Sequence, residues 1–205
     1  IRELALKTLE GTMPAQHIIV GIVGMGVTFK APGHIQFWGG NVRLDKAFAD
    51  TEFNDVFDDT PVAGKISKNI ERDMWRKLVV NSIVNPLSAL LQTSNRLIAE
   101  SRLDDLKKPL LEEGQAVAVA AGHDLGMDVS FFNHFIENDN YTSMYQDIAK
   151  GRTTEVDFIN GGIVAAAESL GMEAPLNRWI CSLIHALEIA RSEARMRAFP
   201  GTDPD

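Results

Sequence analysis

The run Trp75–Gln92, WRKLVVNSIVNPLSALLQ, constrains this chain more than any other stretch. Leu78, Val79, Val80, Ile83, Val84, Leu87, Leu90 and Leu91 leave it no broad polar side. A helix of that kind is buried on most faces. Yet Lys77, Asn81 and Asn85 stand at i, i+4 and i+8 and so share one stripe. Burying a lone ammonium is expensive, and buried amides need partners. Two readings follow. In one, the lysine snorkels to the surface and each amide bonds a nearby carbonyl. In the other, the stripe lines a polar cavity, and three polar residues in register favour it. Pro86 follows Asn85 directly. It removes a backbone donor and disfavours helical geometry at Asn85, which predicts a kink or break and free carbonyls beside the same stripe.

Before this helix the pattern is mixed. Residues 1–10 have helical spacing, with Gly11 as a stop. His17 to Phe29 and His34 to Arg43 read as two strands joined at Lys30-Ala31-Pro32-Gly33, a hairpin. Residues 45–57 read as a short helix, and Val62 to Ile66 admits a brief strand. Gly21, Gly24 and Gly26 form GIVGMG. That spacing reverses the dinucleotide fingerprint GxGxxG, and a turn rather than a helix follows. The glycines are therefore expected to mark bulges or close backbone packing.

From Asn69 the chain reads as almost all helix. The segments are 69–91, 102–121 (with Pro109 expected to bend or restart it), 128–138 with Ser130 as a cap, 142–150, 155–170 capped by Thr154, and 175–197. Gly122, Gly151 and Gly171 serve as stops. We read three parts: residues 1–68, residues 69–198, and a frayed tail at 199–205. The fold class is α+β overall, a few strands followed by an all-α domain.

Charge and composition narrow the function classes. The 205 residues carry a net charge of −8 and no basic block, which argues against nucleic-acid binding. No apolar run reaches spanning length without a polar break, so no membrane role is expected. A lone Cys181 excludes an internal disulfide and fits a reducing, cytoplasmic setting. The five histidines show no ligand spacing, so no metal is expected. The chain opens Ile1-Arg2-Glu3 within a helical pattern, from which we expect that sequence precedes it.

The central run resembles the signature helix of the ketopantoate reductase family, the 2-dehydropantoate 2-reductases. Its Trp-x-Lys-x-x-x-Asn-x-x-x-Asn-Pro-Leu pattern is matched by Trp75, Lys77, Asn81, Asn85, Pro86 and Leu87. A second likeness lies in YTSMYQDIAKGRTTEVDFING. There Ser143, Met144 and Asp147 match a Ser-Met-x-x-Asp stretch, and Thr154, Glu155, Asp157, Asn160 and Gly161 match Thr-Glu-x-Asp-x-x-Asn-Gly. On local sequence alone Ser143 is a candidate cap and Glu155 a first-turn acid favoured by the helix dipole. The resemblance implies more. It makes Ser143 a ligand of a 2-oxo acid substrate and places Glu155 beside a catalytic lysine and the cofactor. It adds Asn81, Asn85 and Asn95 as substrate ligands. It also implies a helical domain of the 6-phosphogluconate-dehydrogenase-like type, preceded by the end of a Rossmann domain.

A lysine ammonium at a cavity wall can protonate or stabilise a developing alkoxide, while a nicotinamide supplies hydride to carbon. The resemblance thus implies NADPH-dependent reduction of 2-dehydropantoate to pantoate, with Lys77 as general acid. The main NADPH site is then expected in an N-terminal part absent from this sequence, and this chain alone is expected to be inactive. Two rivals stand beside this reading: a reductase of another 2-oxo acid, and a non-catalytic helical module serving dimerisation. The helical domain is also the expected surface of a homodimer.

Overall fold

The computed structural model describes residues 12, 18–51, 55–58, 60, 62–136 and 139–198. The helix read over 1–10 and the tail 199–205 lie outside these residues. The chain divides into two compact units after Met74, inside its central helix.

The first unit holds a sheet. Strand β1 (Gly21–Ala31) pairs antiparallel with β2 (His34–Leu44), and β3 (Ala63–Ile66) lies parallel to β2. Gly33 takes φ 79° in the turn, a backbone region that glycine enters without strain. The register slips between Val23 and Met25. At that slip a Cβ on Gly24 would come within 2.8 Å of the Asn41 carbonyl oxygen, so close strand approach demands glycine. All three glycines of GIVGMG stand within β1. The strand opens at Gly21 rather than at His17, which is outside the described residues. The helix expected over 45–57 is reduced to a 3-10 helix at Lys46–Asp50. Asp45 caps it by accepting from Ala47 N at 2.9 Å. The extended backbone of Thr51, φ −96° and ψ 159°, stops it.

The second unit is helical. Helix α1 (Ile70–Leu91) begins in the first unit, where Asn69 Oδ1 accepts from Arg72 N at 2.9 Å. It is followed by α2 (Asn95–Ile98), α3 (Asp104–Ala120), α4 (Val129–Ile136), α5 (Ser143–Lys150), α6 (Val156–Ser169) and α7 (Pro175–Ala198). Helix α2 escaped the sequence reading, because a single turn carries no periodicity. The break expected at Pro86 does not occur, and α1 runs through it. Likewise α3 continues through Pro109. The α4 cap is Asp128, whose Oδ1 accepts from Phe131 N at 2.7 Å, and not Ser130. Gly122, Gly151 and Gly171 all take positive φ where helices end, the left-handed geometry that closes a helix.

Helix α1 is the centre of the core. Val79, Ile83 and Ala89 are fully buried, and Val80, Val84 and Leu87 nearly so. Gly114 lets α3 approach closely: a Cβ there would sit 3.1 Å from both Val79 methyls. Helices α3 to α7 add Leu111, Val117, Phe132, Ile148, Ile163 and Ile184 to the same cluster.

One buried cation was not expected. Lys107 is wholly enclosed. Its Nζ donates to Ile98 O at 2.8 Å, Glu100 O at 2.9 Å and Asn133 Oδ1, and pairs with Asp104 at 2.8 Å. Asn133 Nδ2 donates to Asp104 Oδ1 at 3.0 Å. The ammonium thus ties the end of α2 to the start of α3 and to α4. The hydrogen bond from Asn133, together with Lys107, holds the Asp104 carboxyl below the usual carboxylate range. Losing the ammonium strands buried acceptors such as the Ile98 carbonyl, and an orphaned buried acceptor costs about 1–3 kcal/mol. Lys107→Ala is therefore expected to lower the urea midpoint by that much stability at an unchanged slope. The wild-type advantage over Lys107→Ala is full above the unfolded-state Asp104 value of about 3.9. It shrinks as pH falls through the lower folded value. A variant as stable as wild type would show that the clamp contributes nothing.

Candidate active site

The stripe read from the sequence exists on α1, and its members are graded by depth. Lys77 is exposed, Asn81 half-buried and Asn85 buried at 6% exposure. About 12 Å separates the first from the last along the helix axis, at 1.5 Å per residue. The side chains of Asn81 and Asn85 make no hydrogen bond to the described residues. This contrasts with the buried serines of the same helix. Ser82 Oγ donates to Val79 O at 2.9 Å, and Ser88 Oγ to Thr93 O at 2.6 Å. Those hydroxyls satisfy themselves within the helix and its end. The two amides are left available.

Lys77 faces Glu155. Partial burial pushes the Lys77 ammonium below the ordinary lysine range, and the Glu155 carboxylate acts in the opposite direction. Glu155 is held at the head of α6: its carbonyl accepts from Phe158 N and Ile159 N, each at 3.0 Å. The turn before it is anchored to α7, where Glu188 Oε1 accepts from Thr154 N at 2.7 Å. Thr154 Oγ1 also accepts from Val156 N at 3.3 Å, but the N-cap position is Glu155 and not Thr154, because the helix starts one residue later than the sequence suggested.

Two further residues, Asn95 and Ser143, lie on segments that follow α1. Asn95 opens α2, and its backbone N donates to Asn140 O at 2.9 Å. That bond brings the segment before α5 to α2. Ser143 is the first residue of α5 and is exposed, with no hydrogen-bond partner among the described residues. It is not the cap of α5. That part is played by Thr142, whose Oγ1 accepts from Tyr145 N at 3.1 Å. So the structure relates Lys77 to Glu155 electrostatically, and ties Asn95 to Asn140, three residues before Ser143. A surface cleft lined by Glu173, Ala174, Pro175, Arg178, Trp179 and Ser182 shares no residue with either group.

The sequence reading passed over a buried chain of amides. In an α-helix the Ser82 carbonyl would pair with the backbone N–H of residue 86, and Pro86 has none. Asn160 Nδ2 donates to that oxygen instead, at 2.8 Å, and also to Asn177 Oδ1 at 2.9 Å. Asn177 Nδ2 donates in turn to Glu113 Oε1 at 2.8 Å. The Glu113 carboxylate further caps α7, accepting from Leu176 N at 2.9 Å and Asn177 N at 2.8 Å. Asn160 and Asn177 are both fully buried. The expectation of a freed carbonyl at Pro86 pointed here. Its partner, 78 residues on, was out of reach of local pattern.

The helical domain gives the class. Residues 69–188 match the family model of the ketopantoate reductase PanE/ApbA C-terminal domain. With more than half of its length in that match, the chain belongs to the ketopantoate reductase family. The 2-dehydropantoate 2-reductase of Pyrococcus abyssi is 34% identical over 180 residues, covering 83% of this chain and 60% of that protein. The enzyme of the same name from Pyrococcus horikoshii is 31% identical over 182 residues, again covering 83% and 60%. Among solved structures, a PanE/ApbA family ketopantoate reductase from Ralstonia eutropha superposes with TM-score 0.73 at 28% identity, over 84% of this chain and 60% of that one. D-mandelate dehydrogenase in complex with NADH and anilino(oxo)acetate gives TM-score 0.78 at 25% identity, over 91% and 65%. The chain thus spans about 60% of the length of the curated relatives.

The coupling between Lys77 and Glu155 has a measurable sign. A carboxylate stabilises the charged ammonium, so removing its charge lowers the lysine pKa further. Glu155→Gln is expected to shift the Lys77 Nζ titration, followed by NMR, to lower pH. An unmoved or raised midpoint would show that the two groups do not interact.

Proposed function

We propose that the protein acts as a 2-oxo acid reductase, with 2-dehydropantoate as substrate, pantoate as product and NADPH as hydride donor. The observation that carries the reading is the stripe on α1 itself, where Asn81 and Asn85 make no hydrogen bond to the described residues in line with Lys77, whose charge Glu155 supports. The names of the relatives support the same reaction.

In this mechanism NADPH, when bound, delivers hydride to the carbonyl carbon. Lys77 gives a proton to the carbonyl oxygen as negative charge develops there. A lowered lysine pKa improves it as an acid near neutral pH, and Glu155 keeps enough of it protonated. Asn81, Asn85, Asn95 and Ser143 hold the substrate by hydrogen bonds to its carboxylate and carbonyl oxygens. Glu155 also borders the nicotinamide end of the cofactor. The pyrophosphate needs a glycine turn that opens a helix, whereas the glycine cluster here is a strand. In this reading the phosphates are therefore held by a nucleotide-binding part of the full-length protein. The same reading places the enzyme in the cytoplasm. It also expects a homodimer through the helical domain, which sedimentation of the purified protein checks.

A second substrate reading has a specific observation behind it. The solved relative with TM-score 0.78 was captured with NADH and anilino(oxo)acetate. A bulkier 2-oxo acid and NADH therefore belong in the same assay panel.

In the full-length protein, Lys77→Ala is expected to cut kcat for 2-dehydropantoate reduction by roughly 100-fold or more, the scale of a lost general acid. The measurement is NADPH oxidation at saturating substrate. Rates within a few-fold of wild type would assign Lys77 a structural role.

A further inference from the structure

The chain of amides behind α1 reaches the stripe from its buried side. We propose that Asn160 is a positioning residue for substrate binding, acting through the backbone of residues 81–86; this rests on the 2-oxo acid reading above. Pro86 leaves the Ser82 carbonyl without its helical donor. Asn160 Nδ2 supplies the missing bond at 2.8 Å and is itself fixed by Asn177 Oδ1 at 2.9 Å. Ser82 sits between Asn81 and Asn85, so whatever fixes its carbonyl fixes the direction of both amides. Asn160 is fully buried and lies behind the helix, bonded to main chain rather than to the stripe. It does not touch the substrate. Its hydrogen-bond partners are Ser82 O and Asn177 Oδ1, not Lys77 or Glu155. Its loss therefore bears on substrate binding and leaves proton delivery intact.

Pro86 provides an internal control. Pro86→Ala restores a backbone N–H at residue 86, which can take the Ser82 carbonyl in the ordinary helical way. In that background the Asn160 bond is redundant.

The test uses the full-length protein in four forms: wild type, Asn160→Ala, Pro86→Ala and the double variant. Asn160→Ala is expected to raise KM for the 2-oxo acid roughly tenfold, the upper scale of one hydrogen bond. kcat should change less than about threefold, and the alkaline limb of its pH profile should stay in place, since Lys77 is untouched. Adding Asn160→Ala to Pro86→Ala should raise KM less than about twofold. An equal rise in both backgrounds overturns the proposal, because Asn160 would then act by another route. Should Asn160→Ala alone fail to fold, Pro86→Ala against the double variant decides: similar KM supports the proposal and a tenfold rise overturns it. The side-chain amide resonances of Asn81 and Asn85, recorded without substrate, give a readout independent of activity. They should move in Asn160→Ala, and unmoved resonances overturn the positioning role. A wild-type protein that reduces no 2-oxo acid overturns the functional reading alone, and the amide resonances then still decide the role of Asn160.

Discussion

Burying α1 on nearly every side is the constraint that the helical domain is built around. A helix with apolar residues on all faces cannot rest on a surface, so neighbours must wrap it. Gly114 brings α3 into contact with Val79, and the core residues of α4 to α7 close the remaining sides. Such a helix tolerates polar groups only under conditions. A buried hydroxyl can bond a carbonyl of the preceding turn, as Ser82 does with Val79 O. An asparagine amide, with two donors and an acceptor, cannot be satisfied so cheaply. Asn81 and Asn85 remain uncommitted in the middle of a close-packed helix. The contrast with the serines on the same helix is what leaves these two amides available to a ligand.

Two lysines show how burial separates structure from chemistry. Lys107 is wholly enclosed, with three hydrogen-bond acceptors and a carboxylate around its ammonium. Every proton it carries is committed, so it has none to give. Lys77 is only partly desolvated: burial lowers its pKa, and the Glu155 carboxylate acts against that shift without cancelling it. Under the reductase reading proposed above, such a lysine gives up a proton at modest cost.

The difference between those lysines was half legible in the sequence. Lys77 stood out because Asn81 and Asn85 repeat at its own helical spacing. Lys107 has only Asp104 as a local clue, and its other partners come from the α2 end and from Asn133. Such partners are set by tertiary packing and leave no periodic trace. The same rule covers the smaller differences. Helix extents followed from apolar spacing and from glycines at the ends of α3, α5 and α6. Which of two adjacent polar residues caps a helix, Thr142 or Ser143, Asp128 or Ser130, depends on a residue or two of register. Periodicity does not resolve that. The short helix expected over 45–57 failed for a related reason. Its apolar members, Phe48, Phe53, Val56 and Phe57, suggested a helix, but the extended backbone at Thr51 ends the 3-10 helix.

The proline shows the most about how the two sequence clusters depend on each other. On its own Pro86 predicts a kink or break; α1 runs through it, and Asn160 takes over the stranded carbonyl. The orientation of that amide is dictated from a distance. The Glu113 carboxylate only accepts, so Asn177 must turn its Nδ2 toward it and its Oδ1 toward Asn160. Asn160 must then present Nδ2 both to Asn177 and to Ser82, which leaves its own Oδ1 buried and without a hydrogen bond. An orphaned acceptor of that kind costs about 1–3 kcal/mol. Turning the amide over would save nothing, since Oδ1 would then face two other acceptors and the Ser82 carbonyl would be orphaned as well. The arrangement satisfies the carbonyl that the proline strands at the cost of one orphaned amide oxygen. The Asn-Pro-Leu end of one cluster and the Asn-Gly end of the other are in this sense one device, divided between α1 and α6.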